Sequence, residues 1–239
     1  MAVELDRQLL ARVLLIAAVV VGLVVAQLAE AMPAGNFSVD RFDRIYFTGA
    51  GELVLEQGET PLVTVRGSPD ALEDLVIESS GGALYIDAEA GGVADLEVHV
   101  TVPLLRELVS DGQGRITGND LKVEDLVVEG KGAGSFEMLR LRARELQVIG
   151  RGATRFNLSG AVQRQVIDID GAGAYQAGEL ASRSVEVNLA GAGEVRVWVE
   201  EMLDVVIAGV GKVRYVGSPR VTQQIFGFGS VRQIPSYLI

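Results

Sequence analysis

The chain has 239 residues, 49% of them hydrophobic and only 5% aromatic, with 32 acidic side chains against 21 basic ones. The absence of cysteine excludes a disulfide scaffold, a thiolate nucleophile and Cys-based zinc or iron–sulfur sites, and a single histidine, His99, excludes His-pair chemistry. A net charge of −11 argues against a nucleic-acid partner, because a phosphate-backbone binder needs a basic footprint.

The first predicted element is an uncharged apolar run from Val13 to Ala26, preceded by Arg7 and Arg12 and followed by Gln27, Glu30 and Pro33. About 14 residues suit the hydrophobic region of a signal peptide and fall short of the ~20 needed to cross a bilayer. Ala29 and Ala31 supply small residues at the −3 and −1 positions of a cleavage site after Ala31. Glu4 and Asp6 offset the two arginines, so an uncleaved membrane anchor is the alternative for residues 1–31. In both readings the rest of the chain is exported, to the periplasm or the cell surface, and meets a membrane only through this segment.

Residues 36–110 carry strand character without a strict period, and loops such as Glu56 to Pro61 and Ser79 to Ala83 punctuate them. They are expected to form wider coils, or a meander covering the N-terminal end of a stack, continuous with the core that follows. Residues 111–239 are regular. A glycine corner recurs with first glycines Gly112, Gly132, Gly152, Gly171, Gly191, Gly209 and Gly227, at spacings of 20, 20, 19, 20, 18 and 18. Between corners the pattern alternates with period two, the mark of strands. Superposed repeats give one apolar column, Ile116, Phe136, Phe156, Tyr175, Val195, Val213 and Val231, and a second, Met138, Leu158, Ala177, Val197 and Tyr215. Like residues repeating at one-coil spacing suit parallel strands stacked ~4.8 Å apart. The period is too short for helical repeats and lacks the leucine-rich signature. The predicted fold is all-β: a right-handed parallel β-helix of about 8–10 coils of ~20 residues, the hand following from the crossover rule.

The stretch RFDRIYFTGAGELVLEQGETPLVTVRG, then LYIDA, VTVPLLREL and the serial GAG corners resemble the head GIN domain family, over about Val39 to Ile234. The resemblance implies a bacterial exported β-helix, catalogued as a putative autotransporter adhesin, and brings no catalytic or ligand residues. The serine that usually precedes GAG in that family is here Asp170, Ala190 and Ala208.

The glycine strings superficially suggest a phosphate loop, but no helical stretch follows any of them, so they read as structural corners. The position before the first glycine runs Asp111, Lys131, Arg151, Asp170, Ala190, a surface ion ladder with Glu124 beneath Arg144 as a further pair. Arg140, Arg142 and Arg144, with Arg151, Arg155 and Arg164 nearby, form a solvated face or else a local anion site for acidic glycan or lipid headgroups. His99 should share a surface face with Glu97 and Thr101. No catalytic residue, metal ligand or cofactor site is assigned. The expected function is a non-enzymatic, exported module for surface or envelope binding or adhesion, with a glycan or envelope ligand. The alternatives are a polysaccharide-active enzyme and a self-assembling envelope scaffold. Trp198, Phe226, Phe228 and Tyr237 are the candidate interface, through which the C-terminal coils would form a homo-oligomer.

Overall fold

Glycine corners set the geometry. In the computed structural model, which describes residues 34–37, 39–88 and 95–236, the seven corner glycines have φ between +86° and +135°, a region that L side chains rarely enter. A Cβ on any of them would fall 2.3–2.7 Å from the carbonyl oxygen of the glycine one layer before it. Conformation and crowding therefore demand glycine at the same place in every coil. The signal residues Ala29 and Ala31, and Tyr237, lie outside the described residues.

Strand accounts for 73% of the structure. Among the described residues the strands are β1 (Ala34–Phe37), β2 (Arg44–Gly49), β3 (Glu52–Gln57), β4 (Leu62–Arg66), β5 (Val76–Ser80), β6 (Ala83–Ala88), β7 (Glu97–Val102), β8 (Glu107–Gly112) and β9 (Arg115–Asn119). They continue with β10 (Asp125–Gly132), β11 (Ser135–Gly152), β12 (Arg155–Gly171), β13 (Ala174–Gly191), β14 (Glu194–Gly209), β15 (Lys212–Val216), β16 (Arg220–Gly227) and β17 (Ser230–Gln233). The helix α1 (Pro69–Glu73) is capped by the Ser68 side chain, which accepts from Ala71 N–H.

Two parallel sheets face each other across the core. The first stacks β6, β2, β8, β10, the second halves of β11 to β14, and β16. The second stacks β7, β3, β9, the first halves of β11 to β14, then β15 and β17. A short third side, Leu141–Ala143 on Gly160–Val162 on Leu180–Ser182, joins them in the middle coils. The chain is thus the all-β solenoid that the repeat predicts. About six turns wind consecutively, fewer than the 8–10 coils expected, because the N-terminal layers are stacked out of sequence order.

The apolar columns point inward in register: Ile116, Phe136, Phe156, Tyr175, Val195 and Val213 are all fully buried. Volume is balanced across the core. Phe136 and Phe156 stack with centroids 4.9 Å apart, and the opposite column holds Gly130 and Gly150, where a Cβ would come within 2.7 Å of the Phe136 ring and 3.0 Å of the Phe156 ring. Where the second sheet thins to Val195 and Val213, the first thickens to Leu189 and Ile207. Interiors close-packed to this degree tolerate neither a missing nor an added methylene cheaply.

The N-terminal region follows different rules. β2 and β3 lie between β6–β7 on one side and β8–β9 on the other, so a later segment is stacked outside an earlier one. Beyond it, β5 pairs antiparallel with β6, β4 antiparallel with β7, and β1 antiparallel with β4. The β5–β6 hairpin turns on Gly81 and Gly82, both at positive φ, the two-residue turn whose twist matches its strands. The crossing from β7 back to β8 is fastened by Gln57, whose amide donates to the carbonyls of Pro103 and Lys122 and accepts from Lys122 N–H.

Candidate functional site

Because side chains alternate on a strand, the register that buries Leu146, Val148, Ile167, Val187, Val205 and Ile207 turns the residues between them outward on the first sheet. They form a shallow open groove of about 460 Å³ lined by Gln147, Ile149, Arg151, Asp168, Asp170, Asn188, Ala190, Val206 and Ala208. Polar Asp168 and Asn188 occupy its middle, between Ile149 on one side and Val206 on the other. Asn188 Nδ2 donates to Asp168 Oδ1 at 2.9 Å across adjacent coils. Arg151 Nε donates to Glu129 Oε1 at 2.9 Å, and that hydrogen bond raises the arginine's already high pKa.

The corner column Asp111, Lys131, Arg151, Asp170, Ala190 is stacked in register, but its ion pairs run differently from the ladder read in the sequence. Glu129, two residues before Lys131 on the same strand face, takes both Arg151 and Lys131, the latter at 4.0 Å. A reading confined to the corner column passes over Glu129, and its place in the outward alternation of β10 was the available signal.

The arginine cluster is largely self-neutralised. Arg140, itself at φ +57°, makes a two-pronged contact with Asp120 at 2.7 Å on each arm, and this hydrogen bonding holds the Asp120 carboxyl below its usual range. Arg144 meets Asp125 and Glu124, and Arg164 meets Glu186. Lys122 and Arg142 remain along a second groove of about 540 Å³ beside Leu104, Val123 and Ala161. His99 contacts Glu97 on the same strand face at 2.5 Å.

One polar cluster inside the core went unread in the sequence. Tyr175 donates from its hydroxyl to Gln165 Oε1 at 2.6 Å, Gln165 Nε2 donates to Ser182 Oγ, and Ser182 Oγ donates to the Leu180 carbonyl at 3.1 Å. All three side chains are buried, and burial pushes the Tyr175 hydroxyl far above its ordinary pKa. The signal was Gln165 interrupting the column Leu126, Leu146, Gln165, Val185. The cluster is satisfied and sealed, so it specifies packing rather than offering chemistry.

Of the candidate interface residues, Phe226 and Phe228 come together at the last corner, 65% and 87% exposed, next to Val210 at 59%. Trp198 sits elsewhere, five residues past its own corner glycine Gly193 at the far end of the second sheet, paired with Val216. Among the described residues no three His, Asp or Glu side chains are grouped so as to hold a metal ion, and no helix is long and apolar enough to cross a membrane.

Comparison with known proteins agrees with this architecture. A putative adhesin from Bacteroides fragilis superposes with a TM-score of 0.79 at 20% identity, covering 86% of this chain and 98% of that one. A putative lipid binding protein from Parabacteroides distasonis gives 0.67 at 21% identity, over 86% and 98%. A putative adhesin from the same species gives 0.60 at 19%, over 85% and 97%. At such identities the likeness establishes the fold. No curated protein matches the chain. The family model described as putative auto-transporter adhesin, head GIN domain, matches residues 41–219, and the chain belongs to that family.

Proposed function

We propose that the protein is an exported, non-enzymatic binding module of the cell surface or envelope that presents the outer face of its first sheet to a glycan. The observation that supports this best is the composition of that face. Ile149 lies at one end and Val206 with Ala190 and Ala208 at the other, and between them the coil spacing fixes the carboxylate of Asp168 and the amide of Asn188, with the Arg151 guanidinium beside Ile149. Sugars offer the complement, hydroxyl edges for the hydrogen-bonding middle and C–H faces for the apolar side chains at either end. The open groove would hold an extended chain along its surface rather than enclose a small substrate. The descriptions of family and relatives as adhesins support the same reading.

The test is a glycan array probed with the full-length chain and with Asn188→Ala and Val206→Asp, both on the outer face and away from the core. A restricted set of glycans bound by the native chain and weakened about tenfold or more by either substitution supports the reading. No glycan bound, or binding unchanged by both, contradicts it. The lipid-binding description of one protein of similar fold makes anionic vesicles the natural parallel probe, with Arg142→Ala as its variant. Cell fractionation with N-terminal sequencing of the recovered protein tests export. A second reading, a self-assembling envelope scaffold, is favoured by the C-terminal end of the solenoid.

A further inference from the structure

The last coil stops in phase with all the others. Gly227 keeps the corner conformation, and β16 keeps strict register on β14, with Leu203 over Val221, Val205 over Gln223 and Ile207 over Ile225. Nothing described lies beyond β16 on the first sheet. Val221 packs partly against the core, Ile225 is 36% exposed, and every outward residue of β16 is exposed. Among the described residues this end is therefore an unpaired strand edge with an open strip of core beneath it, an arrangement natural proteins cover or pair.

We infer that this edge pairs with the same edge of a second copy, β16 against β16 in antiparallel register about Gln223. The backbone fixes the possibilities. Phe228 N–H donates back to Gly209 O in the previous coil, so by alternation the main-chain groups of Val221, Gln223 and Ile225 point outward past the end. An antiparallel partner must set these residues against their own counterparts, which also sets inward side chains against inward ones. The register centred on Gln223 puts Val221 opposite the second copy's Ile225, joining the two cores. It puts Gln223 opposite Gln223, amide to amide, and Thr222 opposite Gln224. Arg220 then lies opposite the second copy's Phe226, a cation facing an aromatic ring, and no two like charges face each other along the strand. About six main-chain hydrogen bonds would form.

The sequence carries the same asymmetry. The position of Phe226 is held by Asp111, Lys131, Arg151 and Asp170 in earlier coils and turns apolar only toward this end. Each copy contributes the same edge, so the pairing is isologous and closes at two copies instead of growing into a fibre. The pairing is independent of what the outer face binds.

The chain has no cysteine, so crosslinking reads the register directly. Full-length protein in mild detergent carrying Thr222→Cys and Gln224→Cys together should form a covalent dimer on oxidation, while either single variant stays monomeric. Phe226→Lys, which places at the corner the residue already found at Lys131, should weaken dimerisation about tenfold by facing Arg220, and adding Arg220→Glu should restore it. A monomeric double variant, a single variant crosslinking as fast as the double, or faster crosslinking of Ser79→Cys on β5 at the other end would overturn the inference.

Discussion

The two ends of the solenoid solve one problem in opposite ways. At the N-terminal end the chain builds β2–β3, leaves the stack, and returns with antiparallel β5 and β4 flanking a later layer, so β2–β3 becomes interior. At the C-terminal end the last described layer of the first sheet, β16, has no strand beyond it, with Gly227 in the corner conformation and Ile225 partly open. A repeating fold has no intrinsic terminus. Closure must be encoded separately, by a break in the repeat as in residues 34–112, or supplied by another molecule.

The largest effects should come from the repeat geometry both ends share. Gly191→Ala places a Cβ 2.5 Å from the Gly171 carbonyl oxygen at φ +105° and should cost roughly 3–5 kcal/mol by urea denaturation. Gly81→Ala, at φ +58° in the exposed hairpin with nothing within 4 Å of the new atom, should cost only about 1 kcal/mol. Next comes a matched pair of core truncations. Leu53→Ala, fully buried in the inserted layer, is expected to lose about 2–5 kcal/mol. Ile225→Ala should lose less, about 1–2 kcal/mol in dilute solution, because a third of that residue is already in solvent in the single chain. Equal losses at the two positions would show that the C-terminal end is covered in the monomer.

Tyr175→Phe leaves Gln165 Oε1 without its donor in the middle coils and should cost about 1–3 kcal/mol. The folded hydroxyl is held protonated, while the unfolded one ionises near pH 10. Stability present below about pH 10 should therefore fall as pH rises beyond it, and the Phe variant should show a weaker fall, the remainder carried by Tyr46, whose pKa burial also raises. The smallest effect concerns Asp120, depressed by its hydrogen bond to Arg140. Its stabilisation is present above the unfolded value near 3.9 and is lost as pH falls through the lower folded value, so Asp120→Asn should slightly flatten the acid limb of a pH–stability curve.

This contrast also governs what a reader of the sequence can see. From Gly112 onward each coil repeats its corner, its inward columns and its strand alternation, so the solenoid, its core and the outward position of Trp198 are all legible. The stacking of β6–β7 outside β2–β3 is not, because the pairing of Ile45 with both Leu84 and Leu108 depends on a topological choice that leaves no period. The outer groove was equally hidden. Asp168 and Asn188 look like ordinary surface residues until the coil length brings them to hydrogen-bonding distance. Glu129 was missed because its partner Arg151 is 22 residues away rather than one corner step.

The most direct measurement of the difference between the ends is hydrogen exchange on the native chain as a function of protein concentration. Amides of Val221, Gln223 and Ile225 should gain protection as concentration rises and lose it on dilution, while those of β2, β3 and β7 stay protected throughout. Exchange in β16 that ignores concentration, or β7 exchanging as fast as β16, would contradict a solenoid closed by its own strands at one end and by a second copy at the other.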